Sequence, residues 1–249
     1  EAAITGVVSG YCIKGGRSFV EIMFGDFSTL IFDQLLQHSS KFELMYNRKI
    51  SCPLTVRTPM GGKRGYGPTH SQSIEKHFLG IPNLGVVVLN HRVSPEFIYS
   101  SLEKNKTTPF LLIENKVLYT IDVPKKRLEG FDYKFSLKSF PSLTISCNIA
   151  EPNITIACYG ESLIDLEEVA MDLLVEEEII ADIVVPTLLH PLDYSQITTS
   201  VSKTEKLVIV EEGSGEASWG SELVSKLVQD GIIITNLIRI NNKSIIPAS

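Results

Sequence analysis

Segments that read as strands alternate with segments that read as helices along this whole chain, and that alternation constrains its fold more than any single residue does. A chain patterned in this way buries its strands in a mostly parallel sheet and covers the sheet with helices. The first helix runs from Glu1 to about Ile13 and is rich in small residues (Ala2, Ala3, Gly6, Ser9, Gly10), so a neighbour can approach it closely; Gly15 and Gly16 end it. Ser18 to Phe24 reads as a strand, Phe27 to about Tyr46 as an amphipathic helix, and Pro53 to Arg57 as a short strand. Leu84-Gly-Val-Val-Val-Leu89 has the pattern of a buried strand, and Ser94-Pro95 then starts a helix. Phe110 to Glu114 is a further strand.

From about Tyr119 to Pro152 the periodicity fades among prolines, lysines and scattered aromatics, as in a linker with some irregular strand. A second α/β unit follows. Its strands are Ile154–Tyr159, Ile179–Val185, Lys206–Glu211 and Ile232–Ile240, and its helices lie near Leu163–Glu177, Tyr194–Ser202 and Ser218–Gln229. The reading is therefore two domains, 1–118 and 153–249, joined by a linker over 119–152. The chain starts in helical sequence with no preceding cap and stops after Ile245-Ile-Pro-Ala-Ser249, so it reads as trimmed at both ends.

Composition removes several classes of function. The net charge of −6 argues against a nucleic-acid partner, which requires a basic face. No apolar run approaches the roughly 18 residues that a membrane-spanning helix needs, and no secretory signal is visible. The four cysteines, Cys12, Cys52, Cys147 and Cys158, are widely spaced and form no Cys-x-x-Cys pair, so a zinc site is not expected and free, mostly buried thiols are.

The most informative segment is the loop Thr58-Pro-Met-Gly-Gly-Lys-Arg-Gly-Tyr-Gly-Pro-Thr-His-Ser-Gln-Ser73. Four glycines and two prolines in these sixteen residues suit neither helix nor strand, and a loop of this length inside a compact unit usually serves a function. It delivers His70, a candidate acid, base or donor to an anionic intermediate. Its Lys63-Arg64 is not a phosphate-binding Gly-Lys-Ser/Thr arrangement. His77 sits among apolar residues and reads as a structural histidine, while His38, His91 and His190 belong to no constellation. The stretch Gly213-Ser-Gly-Glu-Ala-Ser218 after a strand suggests a dinucleotide fingerprint only superficially. Its third small position is Ser, Glu216 would face the pyrophosphate, and no acidic residue ends the next strand near Ile240.

Glu21-Ile-Met-Phe-Gly-Asp-Phe27, Gly65-Tyr-Gly-Pro-Thr-His-Ser-Gln-Ser73 and Leu79-Gly-Ile-Pro-Asn-Leu84 together resemble the β subunit of thiamine-diphosphate-dependent 2-oxo acid dehydrogenases of the pyruvate, branched-chain and acetoin types. Ile154-Thr-Ile-Ala-Cys-Tyr-Gly160, Pro191-Leu-Asp193 and Trp219-Gly-Ser-Glu222 resemble the transketolase C-terminal domain. The resemblance covers nearly the whole chain and is weakest from about Tyr119 to Glu151. It implies an α/β fold: a transketolase-type pyrimidine-binding domain, N-terminally incomplete, followed by the transketolase C-terminal α/β domain.

The resemblance also implies roles. Glu1 falls where the family places the glutamate that hydrogen-bonds a pyrimidine nitrogen of thiamine diphosphate; sharing its proton favours the tautomer that activates the cofactor. Phe27 corresponds to the aromatic packed on the aminopyrimidine, and His70 to a histidine on the substrate side. A potassium ion held by backbone oxygens near Cys52, Leu54 and Thr55 is a further implication, although the segment Ser101–Lys106 is lysine-rich where the family is acidic. The chain has no Gly-Asp-Gly motif followed some thirty residues later by Asn, so magnesium and the diphosphate would be held by an α subunit or by the α half of a fused chain.

The implied activity is oxidative decarboxylation of a 2-oxo acid with acyl transfer to the lipoyl-lysine of a dihydrolipoyl acyltransferase. The implied partners are the α subunit, a second β chain and that acyltransferase, in the cytoplasm of a bacterium or the mitochondrial matrix of a eukaryote. The second domain would build the dimer and carries no catalytic set of its own. A transketolase or deoxyxylulose-phosphate synthase, and a non-catalytic scaffold subunit, are the competing readings. Which 2-oxo acid is used is not legible.

Overall fold

The computed structural model describes residues 1–47 and 49–243; the final Ile245–Ser249 stretch lies outside the described residues. In chain order the first half contains α1 (Ala2–Ile13), β1 (Ser18–Glu21), α2 (Phe42–Tyr46), β2 (Leu54–Met60), β3 (Gly85–Val88), α3 (Pro95–Lys104) and β4 (Phe110–Asn115). The second half contains β5 (Phe131–Phe135), β6 (Ser142–Cys147), β7 (Ile154–Cys158), α4 (Ser162–Glu176), β8 (Ala181–Pro186), β9 (Leu188–His190), α5 (Ser195–Thr204), β10 (Lys206–Val210), α6 (Trp219–Gln229) and β11 (Asn236–Ile240). No helix among the described residues is long and apolar enough to cross a membrane.

Two sheets result. The first has the order β1-β2-β4-β3-β9, with its first four strands parallel. The second has the order β11-β10-β7-β8-β6-β5, parallel from β11 to β8. Every residue of β3, β4 and β8 is buried, which is why Val86–Val88, Phe110–Ile113 and Ile183–Val185 are unbroken apolar runs with no alternation. The small residues of α1 do what their size allows: Ser9 donates to the Thr5 carbonyl at 2.7 Å and meets the Ser39 hydroxyl at 3.0 Å, bringing α1 close to the following helical turns.

Three expectations need correction. The stretch 119–152 is more than a linker, because β5 and β6 pair antiparallel with each other and β6 pairs with β8, extending the second sheet. In Phe131-Asp-Tyr-Lys-Phe135 the buried positions alternate with exposed ones only briefly, a pattern too short to stand out between prolines. Phe27–Tyr46 is not one helix. It divides into a 3-10 segment (Gly25–Ile31), a π-helical turn (Gln34–Ser39) and α2. The hydroxyls of Ser28, Thr29 and Ser40 bond to the Gly25, Asp26 and Leu36 carbonyls, side-chain competition of the kind that perturbs a regular helix. Finally, β2 continues to Met60 and includes Pro59. Beyond Arg57 the strand is paired with β4 but no longer with β1, so a proline without an N–H is accommodated at a half-free edge.

The domains are also less separable than a boundary at residue 118 or 153 suggests. Strand β8 of the second sheet passes through Thr187 directly into β9, which pairs antiparallel with β3 at the edge of the first sheet. Thr187 is fully buried; its carbonyl accepts the Val88 N–H at 2.9 Å and its hydroxyl donates to the Pro141 carbonyl at 2.9 Å.

Candidate functional site

The carboxyl ends of parallel strands are where open α/β sheets place their ligands, and two of this chain's segments meet there. Just after β1, Phe24 opens a tight turn in which the Phe27 N–H bonds the Phe24 carbonyl at 3.0 Å. Just after β2 comes the glycine-rich loop, entered at Gly61 with a left-handed φ of +96°. A Cβ at Gly61 would lie 2.2 Å from the Asn115 amide nitrogen, so glycine is required there on both counts.

The loop lays His70 against both phenylalanines. Its ring centroid is 4.6 Å from that of Phe24 and 5.2 Å from that of Phe27, with interplanar angles of 89° and 73°. Phe24 also meets Phe27 at 5.8 Å and Tyr66 at 5.6 Å, again edge to face. Edge-to-face contacts among aromatic rings are each worth about 0.5–1.5 kcal/mol beyond area burial, enough to fix the His70 ring plane. The Thr69 hydroxyl lies 2.8 Å from His70 Nδ1 and engages that nitrogen, which leaves Nε2 for a ligand.

Polar groups brace the wall. Lys116, buried just beyond β4, donates to the His70 carbonyl and stands 4.9 Å and 5.1 Å from the centres of the Phe24 and Tyr66 rings. Burial lowers its pKa from the ordinary lysine value. The Gln72 amide donates to Asp26 Oδ1 at 2.6 Å. The other Asp26 oxygen and the Ser71 hydroxyl are buried and have no partner among the described residues. Buried polar atoms are nearly always satisfied, so orphans beside such a wall are groups a ligand can engage.

Across the domain boundary, Glu212 closes the base of the loop. Its Oε1 accepts the Gly62 N–H at 2.7 Å and its Oε2 accepts the Ser73 hydroxyl. The second domain, in which no catalytic set was expected, thus holds the base of the loop.

The structure brings Phe27 and His70 together. Glu1 is the half-exposed N-cap of α1; its carbonyl accepts the Thr5 N–H at 3.0 Å, and its carboxylate has no hydrogen-bond or ion-pair partner among the described residues. Cys52, Leu54 and Thr55 are buried, and their backbone is engaged: the Cys52 N–H donates to Thr107, its carbonyl accepts from Leu54, and Leu54 and Thr55 lie in the β1–β2 ladder. His77 is exposed on the single 3-10 turn Glu75–His77 and is no core histidine. His91 does have a constellation: its Nε2 lies 3.1 Å from buried Glu167, which Arg92 also grips at 2.6 Å. Glu211 accepts the Gly220 N–H and the Ser218 hydroxyl at the start of α6, so the chain's own carboxylate occupies the place a phosphate would take.

Fold and wall together describe an α/β protein of two sheets with an aromatic wall at the carboxyl ends of the first sheet's strands. Residues 1–121 match the transketolase pyrimidine-binding domain and residues 147–236 the transketolase C-terminal domain. The chain therefore belongs to the transketolase family.

Within that family it is similar along its length to β subunits of 2-oxo acid dehydrogenases. The pyruvate dehydrogenase E1 component subunit beta-2 of Oryza sativa, a mitochondrial protein, is 28% identical over 230 residues, covering 92% of this chain and 60% of that protein. The acetoin:2,6-dichlorophenolindophenol oxidoreductase subunit beta of Bacillus subtilis is 29% identical over 234 residues, covering 93% of this chain and 65% of that protein. The chain thus spans under two thirds of the length of these relatives. Among solved structures, a split-gene transketolase described as an inactive beta4 tetramer superposes with a TM-score of 0.72 at 19% identity, over 98% of this chain and 72% of that one, and shares the fold.

Proposed function

We propose that this chain is the β half of a thiamine-diphosphate-dependent 2-oxo acid dehydrogenase, supplying the pyrimidine side of a site completed by an α subunit or α half that holds magnesium and the diphosphate. The observation that carries the reading is the packing of Phe24, Phe27 and His70 into one wall from two separate segments, in a domain that matches the pyrimidine-binding type. When bound, the cofactor supplies the carbon nucleophile and electron sink that decarboxylation of a 2-oxo acid requires. Phe27 offers an apolar face that excludes water from one side of the heterocycle and strengthens any hydrogen bond beside it. Glu1 contributes a carboxylate free to share a proton with a ring nitrogen. His70, with Nδ1 engaged by Thr69, directs Nε2 at the substrate side, where it can donate to a developing negative charge or hand a proton to the lipoyl sulfur. A second β chain and the dihydrolipoyl acyltransferase complete the proposed assembly. A potassium ion near Cys52, Leu54 and Thr55 would structure the base of β2, and no chemical step depends on it.

The test is direct. The full-length chain is mixed with a candidate α partner and thiamine diphosphate binding is followed by calorimetry. Turnover is then compared on 2-oxo acids and on sugar phosphates. Binding only in the mixture, with turnover of a 2-oxo acid, is the expected result. Binding with sugar-phosphate turnover would transfer the chain to the transketolase activity, and no binding in any mixture would leave a scaffold.

A further inference from the structure

Both ends of the loop that carries His70 are held by one carboxylate from the other domain. Glu212 accepts the Gly62 N–H at 2.7 Å and the Ser73 hydroxyl, and the Asn115 amide approaches it at 3.5 Å. Beyond the base, the loop's one further ion pair to the second domain among the described residues lies at the surface, between Lys63 and Asp165 at 2.9 Å, both well exposed. Beside Glu212 lies Glu161, buried at the head of α4. We propose that Glu212 is a positioning residue for the His70 loop, stapling its two ends across the domain boundary, and that Glu161 makes the staple sensitive to proton loss. The role in positioning His70 for chemistry rests on the function proposed above; the staple itself does not.

Burial, and then the neighbouring Glu212, push the Glu161 carboxyl up to about 8. At neutral pH Glu161 therefore keeps its proton and shares it with Glu212. Loss of that proton places two carboxylates side by side, and Glu212 is the one that can retreat, releasing Gly62 and Ser73. The surroundings do not neutralise the pair. Lys63 favours ionisation from the exposed side, and Lys116 is occupied with the His70 carbonyl. Against them stand Glu75, buried and bonded to Tyr159 at 2.7 Å, Asp165 on α4, and Cys158 beneath; Glu211 is neutralised by Arg239 at 3.1 Å.

Exposed Lys63 and Arg64 lie between the stapled ends, so trypsin reports loop opening without any cofactor. In the full-length protein as isolated, cleavage there is measured against an unstructured reference peptide from about pH 6.5 to about pH 9. The expected result is cleavage that accelerates about tenfold with a midpoint near 8 in the wild type, is pH-independent in Glu161→Gln, and is fast at every pH in Glu212→Ala, which removes both acceptor oxygens. In the assembled enzyme the alkaline limb of the rate profile should disappear in Glu161→Gln, a change that a merely structural residue would not produce. If Glu212→Ala fails to fold, Ser73→Ala, which removes one arm of the staple, takes its place and should also be cleaved faster. Identical pH dependence in wild type and Glu161→Gln, or cleavage of the staple variants no faster than wild type, overturns the proposal. A pH-gated loop in a protein that never binds thiamine diphosphate overturns only the proposed function.

Discussion

Replacing Arg57 with methionine should destabilise the protein by about 3 kcal/mol, because it strands a buried charge. Glu114 is the buried partner, its side chain 6% exposed, and Arg57 bonds its Oε2 at 2.6 Å and 3.2 Å. Burial alone would push the Glu114 carboxyl up, but hydrogen bonds from Arg57, Tyr99 and Tyr119 outweigh it and hold the group below its ordinary value. Breaking a buried pair on one side typically costs about 3–5 kcal/mol. The lower end applies here because the two tyrosine hydroxyls remain on Glu114 and Arg57 is itself 29% exposed.

The assay is urea unfolding of both proteins at neutral pH, with melting as a check. A loss of that size corresponds to a drop of roughly 6–12 °C in a domain pair of this length. The pH dependence carries the sign. A carboxyl held below its unfolded value stabilises the fold above the ordinary carboxylate range, and that contribution is lost as pH falls through the folded value. The gap between Arg57→Met and wild type should therefore narrow in acid, as Glu114 becomes neutral in both. Adding Glu114→Gln to Arg57→Met should recover part of the loss. A single-variant loss below about 1 kcal/mol, or a gap that widens on acidification, would refute the reasoning.

The remaining predictions concern the site and its neighbours. In the assembled enzyme, Glu1→Gln should lower turnover by about 10²–10⁴-fold while largely sparing cofactor binding; more than about one-tenth of wild-type turnover would contradict the proton-sharing role. His70→Ala should slow reductive acylation more than decarboxylation, as measured by single-turnover kinetics of each half-reaction, and equal losses would count against that division. Burial pushes Glu75 up to about 7, so the native state holds a proton that the unfolded chain has released, and stability falls as pH rises from about 4.5 to about 7. Glu75→Gln should therefore remove that slope, leaving a protein about 2–3 kcal/mol more stable than wild type near pH 8 and similar to it near pH 5. An unchanged slope in chemical denaturation would show that another group is responsible.

What the sequence disclosed divides by the range of the interaction. Strands β3 and β4 were legible because burial on both faces leaves unbroken apolar runs at Val86–Val88 and Phe110–Ile113, and α3 because Ser94-Pro95 is a local start signal. The hairpin of β5 and β6 was not, since its stability comes from pairing with β8 and not from its own pattern. Phe27 and His70 were found through motifs that resemble a family. Phe24 and Tyr66 lie inside the same motifs but were given no role there, and Lys116 owes its place beside the wall to tertiary approach and carries no local mark. Glu212 is the extreme case: 139 residues separate it from Ser73, and in sequence it is one acid in the pair that follows a strand. A charged residue placed where a strand of this fold ends, opposite a glycine-rich loop, is the only cue that could have singled it out.

The short strand Leu188–His190 has a consequence for anyone who would recombine this protein. The first sheet is finished by residues encoded long after its other strands, so a gene cut between the domains gives an upstream product whose β3 edge is bare, an open template for sticking to other chains. Chimaeras between related subunits would then have to carry Thr187 to His190 along with the first 118 residues to remain well behaved. Inheritance in this molecule follows the sheets, and the sheets do not respect the order of the text.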